Sequence, residues 1–298
     1  MLEVKNISKS YNKLKAVDNL SFQVKEGEIF GLLGVNGAGK TTTFRMIVGL
    51  LEPDSGSITL NNHKIDYDIT DQIGFLTEER SLFQKMTVID QIVYYGRLKN
   101  LDKNTILKRL DYWLKRLNIE EYKNSKIKEL SKGNQQKIQF ISAVINEPKL
   151  LILDEPFSAL DPFNVSLLMD AIRDISKKGT IVIFSSHRME HVEMFCEKLL
   201  ILVKGKSILQ GFLKEIKENY QKKFIHIKGD INISKIENIK GVENIEKTPE
   251  EYVIKISSKD IIEKVFDCIK NDKNITKFFV EDPTLNEIFV SKVGESHE

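Results

Sequence analysis

The sequence predicts an α/β fold with a mostly parallel sheet in residues 1–212 and a smaller α+β domain in residues 213–298. The first prediction rests on four short, nearly continuous apolar runs, which are typical of strands that are buried on both faces. Segments with helical spacing lie between these runs, and such alternation is typical of α/β proteins. The second prediction rests on a shift to polar composition near Lys214.

The apolar runs are the candidate strands of the first domain, and they span residues 28–35, 150–155, 180–186 and 198–203. Candidate helices cover residues 41–51, directly after the first run, and residues 165–176, which begin soon after Pro162. Residues 87–130 carry Lys, Leu, Ile and Tyr at helical spacing and show no clear strand pattern. We therefore predict a helical insertion at about 87–130.

The C-terminal residues follow the order βαββαβ with one further helix, which is the ferredoxin-like order. The final helix is expected to have Asp282 as its N-cap and Pro283 as its first residue. The predicted strands span 223–228, 242–247, 252–257 and 276–281, and the predicted helices span 233–239, 259–270 and 284–292.

Composition excludes several classes of protein. With 41% hydrophobic and 30% charged residues in a chain of 298, we expect a soluble globular protein. The 45 basic and 43 acidic residues give a net charge of +2, so bulk charge does not indicate a nucleic-acid partner. No apolar run approaches the roughly 18 residues of a membrane span. The two cysteines, Cys196 and Cys268, indicate neither a disulfide framework nor a metal site.

A glycine-rich segment, GVNGAGKTT at 34–42, follows the first apolar run and matches G-x-x-x-x-G-K-[ST]. Its glycines allow backbone N–H groups to face an anion, and the helix that follows adds the positive end of its dipole. We expect Lys40 to neutralise phosphate charge and the Thr41 hydroxyl to bind Mg²⁺. The segment therefore predicts a nucleoside triphosphate site with contacts from Asn36, Gly37, Ala38, Gly39, Lys40, Thr41 and Thr42.

Two carboxylates, Asp154 and Glu155, end the apolar run in LLILDEP. Ligands of open α/β sheets bind at the carboxyl ends of the strands, so both acids are expected to face the phosphates. Asp154 can hold Mg²⁺ through water, and Glu155 can polarise an attacking water. A solvated acidic turn is the alternative interpretation, but the neighbouring phosphate loop favours a nucleoside triphosphatase.

Further motifs resemble those of ABC-type ATPases. The segment ELSKGNQQK at 129–137 resembles the LSGGQ signature, and SALD at 158–161 resembles the D-loop. His187 lies where that family has its switch histidine, and Tyr11 matches the aromatic residue that stacks on adenine. The resemblance covers residues 1 to about 212 and identifies an ATP-binding subunit of an ABC transporter. The ending PTLNEIFV at 283–290, together with the motif variants, resembles an exporter group that includes sodium-extrusion and drug-efflux ATPases.

The resemblance implies a P-loop NTPase fold, ATP and Mg²⁺ as cofactors, and particular roles for the matching residues. Beyond the phosphate loop it implies nucleotide contacts from Tyr11, Val17, Ser131, Gly133 and Asp161. Of these, Ser131 and Gly133 are expected to reach the nucleotide of a second subunit. The implied metal ligands are Thr41, Asp154 and Glu78, and the implied catalytic residues are Glu155, His187 and Lys40.

Several positions depart from the family pattern. Val35 replaces Pro, which a phosphate loop tolerates because only backbone N–H groups act there. Glu78 stands where the family has Gln, and its carboxylate can still reach Mg²⁺ or the attacking water. In the signature, Lys132 replaces Gly and Asn134 replaces Gln. Lys132 either attracts phosphate or is a solvated side chain, and the second interpretation is favoured.

The function that the resemblance implies is a motor at the cytoplasmic face of the membrane, which drives a separate transmembrane permease. Two nucleotide-binding subunits, identical or related, would close on ATP, and export is favoured over import. No nucleic acid is expected as a partner. Two alternatives remain: an ABC-type ATPase that acts on nucleic acid or ribosomes, and a regulatory domain that binds ATP without hydrolysis. The lack of heptads and the single ATPase module argue against the first, and the intact catalytic set argues against the second.

Overall fold

The computed structural model describes residues 1–79, 81–272 and 274–295. The chain divides into two compact units, Met1–Gln210 (unit 1) and Gly211–Glu298 (unit 2), and each has its own hydrophobic core. Among the described residues, no helix combines the length and the apolar character that crossing a bilayer requires.

The strands of unit 1 form an antiparallel sheet of order β2-β1-β4-β5 and a larger, mostly parallel sheet of order β10-β9-β3-β8-β7-β6. In chain order they are β1 Leu2–Tyr11, β2 Leu14–Val24, β3 Ile29–Leu33, β4 Ser55–Leu60, β5 His63–Lys64, β6 Ile73–Leu76, β7 Leu150–Asp154, β8 Ile181–Ser186, β9 Lys198–Val203 and β10 Lys206–Phe212.

The helices of unit 1 connect these strands or form the insertion between β6 and β7. They are α1 Lys40–Ile47, α2 Val88–Leu98, α3 Lys103–Arg116, α4 Lys132–Val144, α5 Pro162–Lys177 and α6 Met189–Phe195. The predicted insertion contains α2 and α3, and short 3-10 turns at Glu120–Tyr122 and Ile127–Glu129 follow them.

Parallel pairing of β6, β7, β8, β3 and β9 confirms the predicted α/β fold. All residues of β7 and β8 are buried, because helices cover both faces of a parallel sheet. Strands that run in one direction end at one edge of the sheet. The loops after β3, β6, β7 and β8 therefore leave the same edge, and many of the predicted site residues lie in or beside them.

The antiparallel sheet at residues 2–64 was not predicted. Strand β1 alternates poorly between buried and exposed positions because its register shifts, for example between Val4 and Ile7. Asn6 lies in this irregularity with a φ of 50°. Such bulges interrupt the two-residue period by which a strand is identified from sequence.

Unit 2 is an antiparallel sheet of order β12-β13-β11-β14 with helices, which agrees with the ferredoxin-like order βαββαβ. Isoleucines of its central strands, such as Ile225 and Ile254, form the core with Val265 of a helix. The elements are α7 Leu213–Asn219, β11 Lys223–Lys228, α8 Ser234–Glu237, β12 Val242–Lys247, β13 Tyr252–Ile256, α9 Ile261–Ile269, β14 Lys277–Glu281 and α10 Leu285–Glu295.

The predicted start of the last helix was wrong, because Thr284 and not Asp282 caps α10. The Thr284 hydroxyl accepts from the Glu287 N–H at 3.2 Å, and the Glu287 carboxylate accepts from the Thr284 N–H at 2.8 Å. This reciprocal pair is a capping box, which satisfies N–H groups at the helix start. Asp282 instead accepts from the buried Lys223 Nζ at 2.5 Å.

Close packing between β6 and α4 depends on Gly74. A Cβ atom there would lie 2.1 Å from the backbone oxygen of Ala143. We expect Gly74→Ala to lower the free energy of unfolding of unit 1 by about 1–3 kcal/mol, because backbone must move to make room. The change is measured by urea denaturation.

The matched control is Gly96→Ala in α2, where the three atoms nearest to the Cβ would be side-chain atoms of Ile106, the closest at 2.6 Å. A side chain can shift, and alanine favours a helix over glycine by about 1 kcal/mol, so the loss should be smaller. Equal stability of Gly74→Ala and the wild type would contradict the described packing.

The two cysteines should differ in reactivity. Burial raises the pKa of the Cys196 thiol to about 12, and its Sγ donates to the Val192 carbonyl at 3.2 Å. Cys268 is only partly buried. Because the thiolate is the reactive form, we expect iodoacetamide to modify Cys268 in the native protein and Cys196 only after unfolding. Timed labelling followed by peptide mass spectrometry measures both rates, and equal native rates would contradict the burial of Cys196.

Candidate functional site

The phosphate loop between β3 and α1 packs directly on neighbouring backbone. A Cβ atom at Gly34 would lie 2.5 Å from the Leu202 carbonyl oxygen, and one at Gly39 would lie 2.4 Å from the Ala16 carbonyl oxygen. Gly39 also has a φ of 108°, a conformation that costs other residues free energy. Both glycines are therefore required by this close approach, which fixes the loop against β9 and β2.

Lys40 places its ammonium group over this loop although its side chain is buried. The Nζ donates to the Gly34 carbonyl at 2.7 Å and to the Val35 carbonyl at 3.3 Å. The side chain begins at the first residue of α1, so the ammonium and the positive helix end act at the same place. This arrangement suits a phosphate group.

Asp154, the last residue of β7, is bonded to α1 and to β8 at the edge of the parallel sheet. Its Oδ2 accepts from the Thr41 hydroxyl at 3.1 Å, and its Oδ1 accepts from the Ser185 hydroxyl at 2.5 Å. The Ser185 Oγ in turn accepts from the Glu155 N–H at 3.1 Å. Ser185 was missed by the sequence analysis. Its signal was a polar residue near the end of an apolar strand, but only the pairing of β7 with β8 shows that it meets Asp154.

Glu155 and His187 form a pair at the same edge. The His187 Nδ1 lies 2.9 Å from the Glu155 Oε1; the histidine side chain is 61% exposed and the glutamate side chain 10%. Burial raises the pKa of the Glu155 carboxyl, and the hydrogen bond with His187 opposes this shift. A raised pKa makes the carboxylate a stronger proton acceptor, which a general base needs.

Glu155 also has an unusual backbone, with a φ of 51°. A residue with a side chain adopts this left-handed region at a cost of about 1–3 kcal/mol, and such strain is concentrated at functional sites. The surrounding contacts, including the bond from its N–H to Ser185, hold the residue there.

A cavity of 560 Å³ opens over the phosphate loop. Most of the predicted nucleotide and metal residues line it, and further lining comes from Leu14, Lys15, Ala16 and Lys204, which the sequence analysis missed. The predicted residues that line it are Tyr11, Asn36, Gly37, Gly39, Lys40, Thr41, Thr42, Glu78 and Glu155. Tyr11 is 45% exposed, so its ring is accessible for stacking.

Val17 and Ala38 do not line the cavity, and their nucleotide contacts stay predictions. Both side chains belong to the hydrophobic core of unit 1, and Val17 is fully buried. A methyl group of Val17 would lie 3.4 Å from a Cβ atom at Gly39, so the side chain supports the loop from the core side. The Ala38 N–H donates to the Val35 carbonyl at 3.1 Å.

Ser131, Gly133 and Asp161 form a second surface of unit 1, outside the cavity. Ser131 caps α4 and is exposed, and its hydroxyl accepts from the Asn134 N–H at 3.2 Å. A Cβ atom at Gly133 would lie 3.2 Å from the Ala159 carbonyl oxygen, so the signature and the D-loop segment are neighbours. Asp161 caps α5 by accepting from the Asn164 N–H at 3.0 Å.

The oxygen donors at the cavity suit Mg²⁺. The hydroxyl of Thr41 and the carboxylate of Asp154 meet beside the phosphate loop, and Glu78 faces the same cavity. Mg²⁺ is usually held by one or two protein oxygens together with phosphates and water rather than by a protein cage. No group of three or more His, Cys, Asp or Glu suited to a metal occurs in the described part of the chain.

Comparison with known proteins gives matches over both units. Residues 17–158 match the family model of the ABC transporter domain, and residues 211–293 match the model of the C-terminal domain of DrrA1-3-like ATP-binding proteins. The ABC transporter ATP-binding protein YhaQ of Bacillus subtilis strain 168 is 48% identical over 100% of both chains. The linearmycin resistance ATP-binding protein LnrL of the same organism is 35% identical over 71% of this chain and 69% of its own.

Solved structures show the same fold for unit 1. A dimeric structure of MJ0796, described as a bacterial ABC transporter cassette, has a TM-score of 0.67 and 26% identity. It covers 72% of this chain and 99% of its own, and another structure of that cassette is a post-hydrolysis state bound to ADP and Pi. The resemblance predicted from the motifs is thereby confirmed: the chain belongs to the family of ABC transporter ATP-binding subunits, and its N-terminal domain is an ABC ATPase.

Proposed function

We propose that this subunit powers an exporter by binding MgATP in the cavity and hydrolysing it with Glu155 as the general base. The observation that supports this most directly is the buried Glu155 carboxyl with its raised pKa, which faces the same cavity as Lys40 and Thr41. Tyr11 would stack on the adenine at the open side of the cavity. Thr41 and Asp154 would hold Mg²⁺, with Glu78 as a further oxygen donor, and the ion would neutralise phosphate charge.

Each catalytic residue has a distinct task in this proposal. Glu155 takes the proton of the attacking water, and its burial keeps bulk water from competing for the carboxylate. His187 orients the Glu155 carboxylate through the 2.9 Å contact and its exposed ring faces outward, where a γ-phosphate and a partner would meet it. Lys40 stabilises the negative charge on the transferred phosphoryl group.

The second surface supports a pair of nucleotide-binding subunits. Ser131 and Gly133 lie at the start of α4, which suits an anion, yet they do not line the chain's own cavity. They would bind the γ-phosphate held by a partner subunit, either a second copy or a related chain. The dimeric structure of the MJ0796 cassette supports this arrangement by analogy.

An exposed aromatic surface supports a permease partner. Phe83 and Tyr94 pack edge to face with centroids 5.6 Å apart, and both are more than 40% exposed. Leu98, at the end of α2, is 61% exposed. Because exposed apolar clusters mark docking sites, we propose that these three residues, the aromatic surface, bind the permease and hold the subunit at the cytoplasmic face of the membrane.

Export is supported by similarity. LnrL is named for linearmycin resistance, and the match of unit 2 is to DrrA1-3-like proteins. The alternative of an ATPase that acts on nucleic acid or ribosomes is favoured by no observation on the described residues. The alternative of an ATP sensor without turnover conflicts with the presence of Lys40, Asp154 and Glu155 in one connected site.

The central test is Glu155→Gln. The amide cannot take the water proton, so we expect ATP hydrolysis to fall by about 100-fold or more while MgATP binding remains, because a general base contributes about that factor. Turnover is measured by phosphate release, and dimer formation with ATP by sedimentation.

Glu120→Gln is the matched control, since Glu120 is exposed in a 3-10 turn of the insertion and should retain wild-type turnover. Normal hydrolysis by Glu155→Gln would remove Glu155 from its proposed role. Lack of MgATP binding by the wild-type chain would overturn the whole proposal.

The aromatic surface is tested with Leu98→Glu. A charge at a docking surface loses apolar burial and adds a desolvation penalty, so we expect co-purification with the permease to fall about tenfold or more. Leu50→Glu is the matched control, because Leu50 is 71% exposed outside this surface. An equal loss in both variants would contradict the assignment of the surface.

A further inference from the structure

Helix α4 carries buried amide and ammonium side chains that donate to backbone carbonyls of other segments. Gln135 donates to the Ile127 and Leu130 carbonyls at 3.1 Å, and Lys137 donates to the Leu117 carbonyl at 2.9 Å. A buried polar group without a partner costs about 1–3 kcal/mol, so these bonds are strongly retained in the folded state. They fix α4, which starts at the signature, to the insertion.

Two further glutamines of α4 hold the loops that bear the site carboxylates. The Gln136 Nε2 donates to the Pro156 carbonyl at 3.1 Å, just after Glu155. The Gln139 Nε2 donates to the Thr77 carbonyl at 2.8 Å and to the Glu79 carbonyl at 3.2 Å. Residues three apart lie on one face of a helix, so both glutamines face the ends of the paired strands β6 and β7.

Gln139 binds the backbone on both sides of Glu78. One amide group binds the carbonyls on both sides of this residue, and the Thr77 hydroxyl closes the turn by donating to the Glu79 carbonyl at 2.7 Å. Gln139 is buried, whereas Glu78 is exposed and faces the nucleotide cavity. The direction of the Glu78 side chain is thus set by backbone that Gln139 holds.

We propose that Gln139 is a positioning residue for Glu78. By binding the backbone on both sides of Glu78, it presents the carboxylate to the metal-nucleotide site and connects that carboxylate to α4, the helix that Ser131 caps. Only the expected effect on MgATP binding rests on the proposed function. The hydrogen bonds from Gln139 to the carbonyls of Thr77 and Glu79 are present in the chain without ligand.

The alternative is that Gln139 only fills space between α4 and β6. Methionine has nearly the same volume and length, so it would fill that space equally well and would lose only the hydrogen bonds. A filling role predicts that Gln139→Met changes nothing at the loop. A positioning role predicts a looser loop in a chain whose unfolding midpoint stays close to that of the wild type.

The first experiment measures hydrogen exchange of the full chain without nucleotide. In Gln139→Met we expect the peptide containing 77–79 to exchange about tenfold faster or more, because the loop opens more easily when its bonds to α4 are lost. Gln91→Met is the control: Gln91 is another buried glutamine, and its Oε1 accepts from the Phe83 N–H at 2.9 Å, in a segment outside 77–79. Unchanged exchange at 77–79 in Gln139→Met overturns the proposal.

The second experiment measures binding of a fluorescent ATP analogue with and without Mg²⁺. We expect Gln139→Met to reduce the Mg²⁺-dependent gain in affinity by about tenfold, as is typical when a residue that orients a metal ligand is replaced. In a Glu78→Ala background the same substitution should have no further effect, since the carboxylate that it orients is gone. Full additivity of the two substitutions overturns the proposal.

Thr77→Val provides a second route if Gln139→Met does not fold. It removes the hydroxyl that donates to the Glu79 carbonyl, so hydrogen exchange of 77–79 should again become faster, but by a smaller factor. Unchanged exchange in this variant would count against the proposed role of these hydrogen bonds. Failure of the wild type to bind the analogue would overturn the proposed function, whereas the exchange measurement would still decide whether Gln139 holds the loop.

Discussion

The site depends on the carboxylate of Asp154, which stands where parallel strands end together. Its two oxygens accept hydroxyl bonds from Thr41 on the phosphate loop and from Ser185 on β8. Parallel pairing makes this possible, because it brings the ends of β3, β7 and β8 to one edge of the sheet. Residues that are far apart in the sequence meet there. The hydrogen bonds of Asp154 then hold the ends of these elements in place.

Charge at this edge is balanced by its surroundings. The Lys40 ammonium is buried and lies against backbone carbonyls, which compensate part of the lost hydration. Nearby, the buried Glu155 carboxyl has a raised pKa because its ionised form is poorly solvated. Both charges are solvated less well here than in water, and the same burial strengthens their interaction with a charged ligand.

The sequence predicted those parts of the site whose residues lie within one short motif. Glycines at 34, 37 and 39 and the acids 154 and 155 were found because their spacing along the chain carries the chemistry. The direction of Val17 was not predicted, since a motif position does not tell which face of a strand is buried, and the cap of α10 was assigned to the wrong residue beside Pro283. Gln139 was not found because its partners lie about 60 residues away, beyond any periodicity.

The left-handed backbone at Glu155 bears on which residues this position of the chain can hold. At a φ of 51°, glycine or asparagine would sit with less strain than glutamate, and either would remove a buried acid. A single such replacement would relieve backbone strain and, under the proposed role of Glu155, abolish hydrolysis. The acid would then be kept at this position by selection for turnover and not by the stability of the fold.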